Sequence, residues 1–107
     1  MTAPAQKFEN VSVDAKANVY FDGKVVSHSV YDKNGKKFTL GLIYPGTYKF
    51  NTGAPELMVI TAGQCKVVQA SGVQTAHQAG QEFRVPGNSA FTITAEGGIC
   101  EYVCYFE

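Results

Sequence analysis

The segment Pro45–Gly63, PGTYKFNTGAPELMVITAG, sets a single carboxylate, Glu56, between Gly46 and Gly63. Tyr48, Phe50 and Thr52 precede it at two-residue intervals and share its parity on an extended chain. A carboxylate held among apolar residues is costly unless it accepts hydrogen bonds or faces positive charge. Glu56 therefore reads as an acceptor for ligand hydroxyls and a stabiliser of developing positive charge, or else as a salt-bridged residue at a rim. Arg84, in EFRVPG, offers the paired donors of a guanidinium to an oxyanion such as phosphate. Its parity leaves it facing either the interior or solvent. Asn88 and Ser89, just after Pro86, could bond a base or a phosphate, and are also residue types that make turns. Tyr48 and Phe50 serve equally as stacking faces for an aromatic ring and as plain core. Tyr102 and Cys104 share a parity near the C-terminus and could line a pocket floor.

Other chemistries lack their parts. The two histidines, His28 and His77, lie far from these segments and read as surface or packed residues. Cys65, Cys100 and Cys104 have none of the close-pair spacings of a zinc site and read as reduced, partly buried thiols. No Ser-His-Asp or Cys-His arrangement offers an activated nucleophile. Nine basic and nine acidic residues give zero formal net charge, so no cationic field is available for nucleic acid or an anionic membrane. No stretch approaches the roughly 20 apolar residues of a membrane span, and no apolar run follows a basic start. The expectation is a soluble cytoplasmic protein.

The elements that must position these residues are short strands. Apolar alternation marks Val25–Val30, Lys37–Ile43, Thr47–Thr52, Leu57–Thr61, Gln64–Ala70, Glu82–Val85, Phe91–Thr94 and Ile99–Phe106. Turn clusters separate them: DKNGK, YPG, TGAP, VPGN and EGG. Asn34-Gly35 is a strong hairpin signal, since both residues tolerate positive φ. No window of eleven residues has helical periodicity, and 107 residues suit one domain. An antiparallel all-β sandwich or barrel follows. Its domain is expected to begin at Val19, with residues 1–18 an N-terminal extension that is either a tail or an added edge strand.

Two segments resemble the motifs of cupins. Gly46, five residues, Thr52-Gly53-Ala54, then Glu56, six residues and Gly63 keep the glycine and glutamate frame of the first motif without its histidines. Gly80-QEFRV-Pro86-Gly87 resembles the second motif, again without its metal-binding histidine. The resemblance implies a single-domain, cupin-type jelly-roll barrel whose motif positions Thr52 and Glu56 face the interior.

The combination of VYFDGKVVS (19–27), YPGTYKFNTGAPELMVITAG (44–63), AGQEFRVPGNSAF (79–91) and EYVCYF (101–106) is similar to the pyrimidine/purine nucleoside phosphorylase family of small bacterial cupins. That resemblance implies a metal-free homodimeric pentosyltransferase. It would convert purine and pyrimidine ribonucleosides plus inorganic phosphate to free base and ribose 1-phosphate, with no cofactor beyond the co-substrate. Asn88, where some relatives carry histidine, and Tyr105, where some carry arginine, depart from the pattern. Glu56 is the expected catalytic residue; Tyr48, Phe50, Thr52, Arg84, Asn88, Ser89, Tyr102 and Cys104 are the expected substrate and phosphate ligands. The alternative is a non-catalytic cupin that binds a sugar or nucleoside.

Overall fold

The computed structural model describes residues 7–107. The first five strands are β1 (Ser12–Val13), β2 (Asn18–Tyr20), β3 (Val25–Tyr31), β4 (Lys37–Ile43) and β5 (Gly46–Asn51). The rest are β6 (Glu56–Ala62), β7 (Gln64–Gln69), β8 (Gln74–Gln78), β9 (Glu82–Val85), β10 (Ala90–Ala95) and β11 (Cys100–Phe106). Among the described residues the one helical element is a 3₁₀ turn, Phe21–Gly23. No helix there is long and apolar enough to cross a membrane.

The strands form two antiparallel sheets. The larger runs β1-β3-β4-β11-β6-β9, with β2 also on β3, and the smaller runs β5-β10-β7-β8. Among the described residues hydrogen bonding does not close them into one cylinder. The short turns after β4 and β5 carry the chain from one sheet to the other, and side chains rather than ladder bonds join the layers.

All eight expected strands are present, with ends shifted by a residue or so. QTAHQ at β8 carries no apolar alternation, and only its pairing with β7 makes it a strand. The β3–β4 hairpin forms at Asp32–Lys36, but by a different device from the Asn-Gly turn expected. Gly35 alone takes positive φ (80°), and Asp32 Oδ1 accepts from the Asn34 and Lys36 amides at 2.8 and 2.9 Å. The Asx carboxylate supplies the turn geometry, so Asn34 need not enter the left-handed region.

The core lies between the sheets. Val25, Ile43, Ile60 and Cys100 from the larger sheet meet Val67, Phe91 and Ile93 from the smaller one. Each such fully buried aliphatic side chain contributes roughly 1.5–3 kcal/mol. A second cluster, Val30, Phe38 and Val103, sits on the outer face of the larger sheet, where Phe8 and Val11 cover it. The Phe8 and Phe38 rings are 4.8 Å apart. The N-terminal segment also pairs with β3, at Ser12↔Tyr31 and Val13↔Val30. Residues 1–6 of the expected extension lie outside the described residues.

Candidate active site

Register decides which side chains look inward from the larger sheet. Ser29 and Thr39 pair across β3 and β4, Thr39 with Cys104, and Cys104 with Met58. One row over, Ser27 pairs with Gly41, Gly41 with Tyr102, and Tyr102 with Ile60. A third row sets Phe106 against Glu56 and Glu56 against Val85. Between β11 and β6 the register slips at Glu101/Tyr102, where Thr61 is the extra residue. A bulge of this kind re-aims the flanking side chains, and Tyr102 lands on the inner face. Its ring lies over Gly41, where any Cβ would overlap it, so glycine is required there.

Between these rows and the smaller sheet lies a cavity of roughly 220 Å³. Its polar wall is Ser27, Thr39, Glu56, Tyr102 and Cys104, and its opposite wall is Phe50, Phe91 and Ile93. The Phe50 and Phe91 rings are stacked, centroids 5.7 Å apart. Tyr20 approaches Phe50 edge-on at 6.2 Å, and Phe21 packs on Tyr48 and Phe50 at 5.0 and 5.5 Å. The backbone that delivers them is strained: Phe21, Asp22 and Gly23 have φ of 52°, 56° and 89°. A bulky residue at positive φ persists only where its surroundings hold it, and here the aromatic contacts do so.

Glu56 is half-buried at the end of this wall. Burial pushes its carboxyl above the usual glutamate range, and a hydrogen bond from the Cys104 thiol draws it part of the way back. Burial, reinforced by the Glu56 carboxylate, pushes the Cys104 thiol up, so it stays protonated and able to donate. Burial likewise raises the Tyr102 phenol, opposed by its hydrogen bond with Ser27. Asn18 Nδ2, on the neighbouring strand β2, donates to the Ser27 and Ser29 hydroxyls at 3.3 and 3.2 Å. The cavity thus presents one carboxylate, several neutral hydroxyl and thiol groups and an aromatic wall. Among the described residues no lysine or arginine lines it. Such a set can accept from sugar hydroxyls, hold a flat ring and favour positive charge beside Glu56.

The expected site residues divide into two groups. Glu56, Phe50, Tyr102 and Cys104 come together at the cavity. Tyr48 is buried in the core, with its hydroxyl donating to the Tyr44 and Pro45 carbonyls at 2.9 and 3.1 Å. Thr52 is buried in the turn, where Oγ1 donates to the Pro86 carbonyl at 2.7 Å and accepts from the Ser89 amide at 2.9 Å. Asn88 holds a left-handed turn (φ 50°) and bonds the Gly53 carbonyl through its amide. Arg84 points outward between buried Phe83 and Val85 and pairs with Glu107 at 3.2 Å and Glu82 at 3.8 Å.

Ser27, Thr39, Asn51 and Phe91 were not singled out from sequence, yet all line the cavity. For three of them the signal was parity: Ser27 shares the face of buried Val25, Thr39 that of Ile43 and Phe91 that of Ile93, whereas Asn51 sits on the parity opposite Phe50 and had no such signal. All three cysteines are free and buried. Cys65 and Cys100 form a thiol pair in which Cys100 donates, lowering Cys65 and raising Cys100. His28 bonds the Asp14 carbonyl at 3.1 Å, and His77 stacks on Phe83 at 4.7 Å. Among the described residues no three His, Cys, Asp or Glu side chains form a metal cage. A second cavity, roughly 240 Å³, opens beside β7 and β8. Its ionisable groups are already engaged, Lys66 with Glu96 at 3.7 Å and His77 with Thr75 at 2.7 Å, so the Glu56 cavity is the stronger candidate.

Comparison with known proteins agrees with the sequence resemblance. The family model of pyrimidine/purine nucleoside phosphorylase matches residues 15–106. The pyrimidine/purine nucleoside phosphorylase of Methylobacillus flagellatus is 53% identical over 102 residues, which is 94% of this chain and 98% of that protein. The protein of the same name from Cupriavidus pinatubonensis is 52% identical over 101 residues, covering 94% and 95%. A crystal structure of a protein of unknown function from Acinetobacter sp. ADP1 superposes with a TM-score of 0.92 at 42% identity, covering 96% of this chain and all of that one. This chain belongs to the pyrimidine/purine nucleoside phosphorylase family.

Proposed function

We propose that the chain is a broad-specificity nucleoside phosphorylase, a pentosyltransferase acting on purine and pyrimidine ribonucleosides. The observation that carries this is the half-buried Glu56 facing an aromatic wall across one cavity, in a chain of this family. In the reaction the bond from the anomeric carbon to the base breaks, and a bond from that carbon to a phosphate oxygen forms. The base leaves with the bonding electrons, and the proton given up by hydrogen phosphate balances the charge on the departing base.

The transition state carries positive charge on the ribose, and a carboxylate beside it stabilises that charge more than it stabilises neutral substrate. Glu56 has this role and also accepts from the ribose hydroxyls, while the Cys104 thiol orients it. Phe50 and Phe91 offer the base a π-face. Stacking tolerates every base because all have such a face, which supports breadth over both base classes. The cavity is below the roughly 300–1,000 Å³ of drug-sized sites, which suits one sugar and one base.

The same reading makes residues 19–107 one cupin-type jelly-roll domain, with residues 1–18 an N-terminal extension of which Ser12–Val13 adds a strand to the sheet edge. It makes the protein a cytoplasmic homodimer that uses phosphate as co-substrate and no metal. Base release from a mixed nucleoside panel, with and without inorganic phosphate, tests the activity. Phosphate-dependent release of both base classes is expected. Release without phosphate would make the protein a hydrolase, and saturable binding with no release would make it a binding module. Light scattering tests the dimer; a monomer would contradict it.

A further inference from the structure

A phosphorylase must hold a phosphate anion, yet among the described residues the wall of the cavity carries a carboxylate and no cation. Two anions in one partly buried site repel each other strongly, so a positive charge is needed nearby. Arg84, the single arginine, stands on the outer face between Glu82 and Glu107. It is already committed to two carboxylates.

The inner faces of both sheets narrow the choice. Along β4, Lys37, Thr39, Gly41 and Ile43 share one parity, and the last three face inward. Lys37 begins that row. The register that pairs Phe38 with Tyr105 brings Lys37 opposite Phe106, and Phe106 pairs with Glu56 across β6. Contact matches register, because Lys37 Nζ lies over the Phe106 ring, 5.8 Å from its centroid. Phe106 itself lines the cavity. Among the described strands, no other lysine or arginine shares an inward-facing parity. Lys37 also makes no ion pair among the described residues.

We propose that Lys37 is the phosphate-binding cation of this site, with the Phe106 ring as its resting platform and as the spacer between it and Glu56. This inference rests on the phosphorylase reading above. An ammonium on a four-carbon stem is a compact charge able to swing from ring to ligand, and the ring face holds it near without neutralising it. Phe106 separates the two charges, so Glu56 remains free to act on the ribose while Lys37 offsets the phosphate. The anion then approaches from the Phe106 end of the cavity, and the base occupies the Phe50–Phe91 wall.

The test compares wild type, Lys37→Gln, Lys37→Arg and, as an outward-facing control on β5, Lys49→Gln. Steady-state phosphorolysis of uridine and adenosine is followed as inorganic phosphate is varied. Losing one charge-assisted contact is expected to raise the KM for phosphate roughly tenfold to a hundredfold in Lys37→Gln. The KM for nucleoside should stay as in wild type, Lys37→Arg should recover most of the loss, and Lys49→Gln should show none. An unchanged phosphate KM in Lys37→Gln, with wild type phosphate-dependent, overturns the assignment and leaves the phosphorylase reading intact. Thermal unfolding with added inorganic phosphate gives a readout without turnover. Phosphate should raise the wild-type Tm and not that of Lys37→Gln; equal shifts in both, or a shift in neither, overturn the assignment even if no phosphorolysis is seen.

Discussion

Replacing Glu56 by glutamine keeps the size and shape of the side chain and removes its charge, so it isolates the electrostatic part of the site. Glu56 is half-buried, and an effective dielectric constant of about 20 applies to such a position. A full positive charge about 5 Å away would then interact with it by roughly 3 kcal/mol. Hydrogen bonds from ribose hydroxyls to a charged acceptor are worth about 1.5–3 kcal/mol, and the amide oxygen retains part of that in the ground state. At about 1.4 kcal/mol per factor of ten, kcat should fall roughly a hundredfold while the nucleoside KM changes much less. Initial-rate phosphorolysis of uridine and adenosine at saturating phosphate is the assay. The pH profile adds a second readout. Burial raises the Glu56 pKa, so the acid limb of kcat/KM should fall above the ordinary glutamate range and vanish in Glu56→Gln. Stability has the opposite sign. A carboxyl with a raised folded-state pKa contributes stability below its unfolded pKa and loses it as pH rises through the folded value. Glu56→Gln removes that loss and should be at least as stable as wild type at neutral pH. A variant with unchanged kcat, or one whose kcat and KM move together, would refute the role given to Glu56.

Gly41→Ala drives a methyl into the Tyr102 ring; overpacking of this kind costs about 1–3 kcal/mol, which calorimetry should record as a lowered Tm, and wild-type stability would contradict the close packing. Thr52→Val leaves the Pro86 carbonyl and the Ser89 amide without the partner they share. At about 1–3 kcal/mol per orphaned group and roughly 4–8 °C per kcal/mol for a domain this size, a clear drop in Tm is expected with activity retained in the folded protein; an unchanged Tm would mean Thr52 is not holding the turn. Phe50→Leu keeps an apolar wall but removes a π-face worth about 1–3 kcal/mol per stacked base, so the KM for uridine and adenosine should rise together, and a rise for one base class alone would argue against sequence-tolerant stacking.

The chain's strand pattern was legible because alternation and turn chemistry are local. VVSHSV, KFTLGLI and CEYVCYF are strands wherever they pack, and Gly, Pro, Asn and Asp clusters end them. Glu56 was legible too, since a lone carboxylate in an apolar strand between two glycines needs a reason. Alternation gives every strand two faces, however, and does not say which face is inside. For Glu82–Val85 that choice put Phe83 and Val85 inward and Arg84 outward, and for Lys37–Ile43 it put Lys37 on the inward parity. Nor does local pattern reveal that β11 lies between β4 and β6, which brings Cys104 beside both Thr39 and Glu56. Those pairings join residues dozens of positions apart, and their register is set by burying one face of each strand against the other sheet. Alternation and turn chemistry alone require short antiparallel strands and one unusual carboxylate among them. What surrounds that carboxylate is settled by the fold, because cross-strand neighbours are chosen by the packing of the whole core.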